Sequence, residues 1–175
     1  MQRPKPILLL VVLLAGAAAL SAPSAAAAAS GPQTFTGTII TDAAGGERHI
    51  VKSIVIAHGA FNGVGTIVEV PNQPGDGEDI FRDDLVFPQG TLHLVTTNLG
   101  FAFKLIPQSC RVTASVQQTG EIAGGTGLFM QASGSGAGGV VAHETAARAA
   151  DGSCDPFAPT LHEVDRISST GTLSY

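Results

Sequence analysis

The chain has 175 residues, 22 of them Gly and none Trp, with a formal net charge of −5. Only 13% of the residues are charged and 5% aromatic, which excludes a coiled coil and a charge-driven disordered chain. The glycines follow no G-x-y period, so collagen is excluded, and the acidic balance argues against nucleic acid as a partner, because phosphate recognition needs clustered Lys and Arg.

Arg3 and Lys5 precede an apolar stretch, Ile7 to Leu20. A small-residue run follows, Ser21 to Ser30, with an A-x-A option at Ala27-Ala28-Ala29. That three-part layout predicts a secretory signal peptide over 1–29 and one domain over 30–175. The apolar stretch is short against the roughly 20 residues of a membrane span. An uncleaved anchor is the alternative. No Cys stands near the cleavage region to take a lipid, and Thr170 to Tyr175 carries no hydrophobic tail. The expected product is secreted and free of the membrane after cleavage. Loss of Arg3 and Lys5 leaves seven basic against fourteen acidic residues, a net charge near −7. A domain of this length buries about two-thirds of its unfolded surface, enough for one core.

After residue 30 the hydrophobic pattern has period two, interrupted by Gly, Pro, Asn and Asp clusters. Gln33 to Thr41 is a predicted strand with a turn at Asp42 to Gly46. His49 to Gly59 is the second, and Asn62-Gly63 is a hairpin signal before a third, Gly63 to Val70. Pro71 to Glu78, with two Pro and two Gly, is an exposed loop. Ile80 to Phe87 is a strand, Pro88-Gln89-Gly90 a turn and Thr91 to Thr97 a strand. Asn98-Leu99-Gly100 reads as another turn before a short apolar strand, Phe101 to Ile106. Cys110 to Ile122 gives the clearest alternation. Its even positions are mostly apolar and its odd positions, from Arg111 to Glu121, all polar. That is an antiparallel strand with one dry face and one wet face. Gly134 to Ala147 and Leu161 to Leu173 complete the set, with a short helix over Ala142 to Ala150 as an alternative. Eight or nine strands with frequent turns predict an all-β fold, an antiparallel closed barrel or a sandwich. Closure removes the free edges that an exported protein must protect.

Cys110 and Cys154 are the two cysteines, and export would put them where pairing is the default. A disulfide closing about 45 residues contributes up to ~4 kcal/mol in the chain-entropy model.

Gly124-Gly125-Thr126-Gly127-Leu128-Phe129 is followed by Ala132-Ser133-Gly134-Ser135-Gly136 and preceded by Gly120-Glu121-Ile122. This resembles the G-x-I-x-G-G-T-G-x-F-x-x-A-x-G-x-G stretch of small barrels related to dirigent proteins and allene oxide cyclases, including exported bacterial members of unassigned role. The resemblance implies an eight-stranded antiparallel barrel with a central apolar cavity. In plant relatives such cavities take hydrophobic or phenolic ligands, for radical coupling or for closing an epoxide into a ring. The acidic, Arg and Tyr pocket residues of those families find no match here, and the only Tyr is Tyr175. In physical terms the glycines permit a sharp passage between strands, after which Phe129 plugs the barrel end or its core.

Other motifs carry less. Gly134 to Gly139 satisfies G-x-G-x-x-G but lacks the strand-to-helix setting of a dinucleotide site. The five His, at 49, 58, 93, 143 and 162, form no metal-binding spacing, and no motif implies a metal or cofactor. Asp76, Glu78, Asp79, Asp83 and Asp84 match no calcium loop and read as a solvated acidic segment. In the second strand, Lys52 and His58 share a face with Ile50, Ile54 and Ile56. If that face lines a cavity, they are polar groups in an apolar pocket, and Glu69 and His93 on neighbouring segments are candidates to join them. The alternative is a strand at a barrel end with Lys52 reaching to water. The leading functional expectation is an exported barrel that binds a small apolar or amphipathic ligand without chemistry. An isomerase or cyclase using Glu69 or His58 as acid or base is the second. An envelope interaction protein without a cavity, forming oligomers, is the third. The lack of Trp makes sugar stacking a poor fit.

Overall fold

The structure is a computed structural model and describes residues 29–42, 49–155 and 160–175. The signal peptide expected over 1–29 lies, apart from Ala29, outside the described residues. The strands are β1 (Ser30–Asp42), β2 (His49–Gly59), β3 (Gly63–Val70), β4 (Ile80–Phe87), β5 (Gly90–Ile106), β6 (Arg111–Gly125), β7 (Ser133–Thr145), β8 (Ala147–Arg148), β9 (Cys154–Asp155) and β10 (His162–Ser174). Eight of them close into an antiparallel barrel in the order β1-β10-β7-β6-β5-β4-β3-β2, while β8 and β9 pair separately.

β2, β3 and β4 begin and end where the alternation predicts. Two expectations are corrected. Asn98-Leu99-Gly100 is not a turn: β5 runs straight through it, and the register against β6 slips between Asn98 and Gly100. An extra residue on one strand is a β-bulge, which uses the same Asn and Gly that turns use. The barrel therefore has eight strands. The helix alternative over Ala142 to Ala150 also fails, because β6 and β10 flank β7 and supply its ladder partners. Ladder pairing on both edges outweighs the helix propensity of Ala.

The strand alternation decides what fills the barrel. On β6, Val112, Ala114 and Ile122 are buried and the odd positions are exposed, as predicted. The two barrel ends differ. Tight turns between β2 and β3, β4 and β5, and β6 and β7 gather at one end, and there Phe61, Phe87, Phe129 and Tyr175 meet edge to face. Phe129 lies 4.9 Å from Phe61 and 5.4 Å from Tyr175, centroid to centroid. Phe129 is fully buried, as are Leu92 and Leu173 beside it. The Tyr175 hydroxyl donates to the Ala60 carbonyl at 3.1 Å. The buried Gln33 accepts the Phe61 amide at 2.9 Å and so fixes the turn that delivers Phe61.

The glycine motif places Phe129 in this plug. Gly127 has a positive φ of 57°, and a Cβ there would come within 2.5 Å of the Gln89 carbonyl. Thr126 donates its amide to Thr91 and its side chain accepts the Thr91 amide, at 2.8 and 3.1 Å. Leu128 donates to Gln89 at 3.0 Å. The end of β6 is thereby sewn to the β4–β5 turn, and the short 3-10 turn Gly127–Phe129 points the ring inward.

At the opposite end, Cys110 is bonded to Cys154, with Cα atoms 5.3 Å apart. The disulfide ties the β5–β6 turn to the segment between β7 and β10. With Leu105, Val112 and Ala146 it forms a small apolar cluster of its own. Cys110 takes a left-handed φ of 50°, and its carbonyl accepts the Ala146 amide at 2.9 Å. The disulfide suits an extracellular setting. Among the described residues no helix is long and apolar enough to cross a membrane.

Candidate functional site

Between the plug and the open end lies a cavity of about 870 Å³. Eight-stranded barrels are just wide enough to be filled by side chains or to hold one small ligand, and this interior is left unfilled. The reason is in the sequence. On the plug side of the cavity, β6, β7 and β10 place Gly120, Gly136, Gly138 and Gly171 around a further pocket of about 70 Å³. No side chain enters from those positions.

Apolar side chains make up most of the wall, among them Phe35, Ile39, Val55, Ile67, Leu94 and Ile167. A polar belt crosses it. Gln118 donates to Asn98 at 2.8 Å across β5 and β6. Thr96, 8% exposed, lines both pockets, and its hydroxyl has no hydrogen-bond partner. Near the mouth the lining becomes acidic. Glu69 and Asp83 are directly opposite each other across β3 and β4, and Glu144 and Glu163 across β7 and β10. Asp165 is buried one inward position from Glu163. Like charges placed directly opposite repel, a cost that the other partners of these carboxylates offset. Two hydroxyls offset part of it: Thr41 donates to Glu163 at 3.0 Å and Thr160 to Glu144 at 3.2 Å.

Arg82 is the one basic side chain of the described lining, and it is engaged. Its Nε and Nη2 donate to the two carboxyl oxygens of Asp76 at 2.7 and 2.9 Å. This fork, helped by the Gln73 amide, holds the Asp76 carboxyl down at about 2 and raises the Arg82 guanidinium above its usual value. The clamp fastens the loop between β3 and β4, whose Pro71 and Asn72 form part of the cavity rim. Asn72 also donates to the Ile80 carbonyl at 2.6 Å. Across the mouth, Phe101 and Phe103 stack with centroids 5.8 Å apart. They occupy inward-facing positions on β5 beyond its last β4 partner and remain exposed.

The structure divides the four predicted site residues. Glu69 lines the cavity. Lys52 and His58 do not: the inward face of β2 carries Ser53, Val55 and Ala57, and the face with Lys52 and His58 is exposed. Both faces of β2 are rich in Ile and Val, so alternation alone does not choose between them. His93 also faces outward, opposite Asp84, with its Nδ1 2.7 Å from the Asp84 carboxylate. The predicted acidic cluster is dispersed in the same way, with Asp76 on Arg82, Asp84 on His93 and Asp83 turned inward. Among the described residues no three His, Cys, Asp or Glu side chains are grouped to hold a metal. Glu144, Glu163, Asp165 and Thr96 were not singled out from the sequence. Their signal was parity: Glu144 shares a face with Val140 and Ala142, and Asp165 with Ile167.

No protein-family model, curated protein or solved structure matches this chain.

Proposed function

We propose that the barrel binds a small, largely apolar ligand in its lumen and performs no chemistry on it. The observation that carries this reading is the cavity of about 870 Å³, walled by aliphatic and aromatic side chains and reached past exposed rings at one end. Small-molecule sites have volumes of about 300–1,000 Å³ and the same plan of apolar walls with a few polar groups. The sequence resemblance to dirigent and allene oxide cyclase barrels supports the same reading. An exported protein whose disulfide staples the open end would hold this cavity ready outside the cell.

Titration with the neutral dye Nile red tests the proposal. The dye should brighten and shift to the blue on binding, and Gly120→Val should weaken the signal by narrowing the inner end of the site. A Cβ at Gly120 meets Leu94 and Thr96 side chains at 3.4 and 3.5 Å and the Val95 carbonyl oxygen only at 3.8 Å, so a larger residue narrows the plug-side pocket at the inner end of the lumen. No dye binding would reject the lumen as a ligand site.

A second reading rests on the outer surface. Ile54, Ile56, Val64, Val68 and Val86 are exposed side by side on the outward face of β2, β3 and β4. An apolar strip of this kind favours association of two copies. Sedimentation across a concentration series checks it, with Ile56→Lys expected to hold the protein monomeric.

A further inference from the structure

We infer that the lumen selects uncharged, chain-like ligands with an internal oxygen, which meets Thr96 while a short apolar end passes beyond it into the glycine-walled inner pocket. This rests on the lumen being a ligand site and adds the chemical class and the orientation that the site takes.

Two independent observations carry it. The first is Thr96. It is 8% exposed, its hydroxyl has no hydrogen-bond partner among the described residues, and it belongs to the walls of both the main cavity and the inner pocket. The amide side chains of this part of the wall are engaged elsewhere. Asn98 and Gln118 hold each other, and Gln33 holds the Phe61 amide and the Thr34 carbonyl. Burying a hydroxyl without a partner is unfavourable, and a guest oxygen at that depth supplies the partner. The described lining of the inner pocket carries no charged side chain. A charged group brought to that depth would lose its water and gain no counter-ion, so the oxygen that fits is a hydroxyl, an ether or a ketone.

The second observation is a bare stretch of wall. Thr96 is in register with Gly120, Gly120 with Gly136, Gly136 with Gly171, and Gly171 with Gln33. Three glycines on adjacent strands thus separate two polar side chains in one row. At Gly136 and Gly171 a Cβ would come within 2.6 and 2.1 Å of a carbonyl oxygen on the next strand, so the strand packing itself excludes a side chain there. Beyond Thr96 the wall turns apolar, with Leu94 and Ile122 opposite each other one inward position on, a step of roughly 7 Å. The inner pocket, about 70 Å³, is far smaller than a whole small-molecule site of about 300–1,000 Å³, so it takes one end of a guest. A terminal hydroxyl at Thr96 would leave that pocket empty, whereas an internal oxygen lets an alkyl end fill it.

Displacement of Nile red by two isomeric decanols tests the inference, one primary and one with its hydroxyl on the fifth carbon, together with the ketone of the second. The alcohols have the same atoms, so the comparison isolates the position of the oxygen. The internal alcohol and ketone are expected to displace the dye at roughly a fifth of the primary alcohol's concentration or less, as one added buried hydrogen bond would give. Thr96→Val removes the hydroxyl from a side chain of nearly the same shape. It should erase the difference between the isomers while keeping Nile red bound, and Thr96→Ser should retain the difference. Without ligand, Thr96→Val should unfold at the same denaturant concentration as the native chain or at a higher one. Equal displacement by the isomers, a preference for the primary alcohol, or a loss of stability in Thr96→Val would overturn the inference and leave the lumen a ligand site. Failure of Nile red itself to bind overturns both. The isomer series uses the native chain, so the result stands even where a variant fails to fold.

Discussion

At one end of the barrel Phe61, Phe87 and Phe129 are shielded from water and meet edge to face. At the other, Phe101 and Phe103 stack on each other with more than half of their surface open to solvent. The residue type is the same, and its consequences are opposite. Burial, not aromatic character, generates stability, since the gain follows apolar area withdrawn from water. The closed end holds the barrel together. The open end leaves apolar surface in reach of a visitor, and its integrity depends on covalent and ionic fastenings: the Cys110–Cys154 bond and the Asp76–Arg82 clamp.

The comparison is sharpest under mutation. Phe129→Ala removes the centre of the plug and should cost about 3–5 kcal/mol in denaturant unfolding, as large-to-small changes in packed cores do. A cost below ~1 kcal/mol would mean the closed end is not where the stability resides. Removing the disulfide with Cys110→Ala/Cys154→Ala should cost about 2–4 kcal/mol, less than the plug, by releasing the unfolded chain. The Nile red signal should be altered more by this change than by any equally destabilising change at the plug. Gly120→Val should alter stability by ~1 kcal/mol or less, because it fills existing space. Phe101→Ser/Phe103→Ser should shift stability by only ~0.5 kcal/mol, as surface changes do, while weakening dye binding at the mouth. A large loss of stability there would mean the rings are covered in solution.

Acid separates the ends in a further way. The Asp76 carboxyl is held at about 2 by the hydrogen bond from Arg82 and then by the Gln73 amide. A depressed carboxylate contributes its stabilisation fully above its unfolded pKa, near ~4, and loses it as pH falls through the folded value. The loop between β3 and β4 should therefore stay fastened at pH ~4 and loosen as pH approaches ~2. Amide exchange at Gln73 and Asp76 should rise over that window while amides around Phe129 stay protected. Asp76→Asn should remove the pH dependence and leave the loop loose throughout.

Much of this was legible in the chain. Alternation on β6 gave its inward face, turn residues bounded β2, β3 and β4, and the Gly124–Gly127 motif anticipated Phe129 in the plug. The lumen was harder to read because its chemistry depends on register. Glu144 and Glu163 are 19 positions apart in the sequence and meet only because β7 and β10 pair directly. β2 misled because Ile54 and Ile56 are as apolar as Val55 and Ala57, so hydrophobicity did not say which face was dry. Asn98-Leu99-Gly100 misled because a bulge and a turn ask for the same residues.

β2 and β3 pair at three positions only, Val55–Gly65, Ile56–Val64 and Ala57–Gly63. Beyond them the Ser53 side chain spans the gap: it donates its hydroxyl to the Ile67 carbonyl at 2.8 Å and accepts the Ile67 amide at 3.1 Å. β1 and β10, by contrast, pair along all thirteen residues of each. The circumference thus has one short seam, and it borders the mouth. Widening the lumen for a bulkier guest would ask for two hydrogen bonds at Ser53, not for a whole ladder. The β3–β4 hairpin would then swing as an arm hinged at the plug, turning a closed tube into a cleft while the rest of the wall keeps its register.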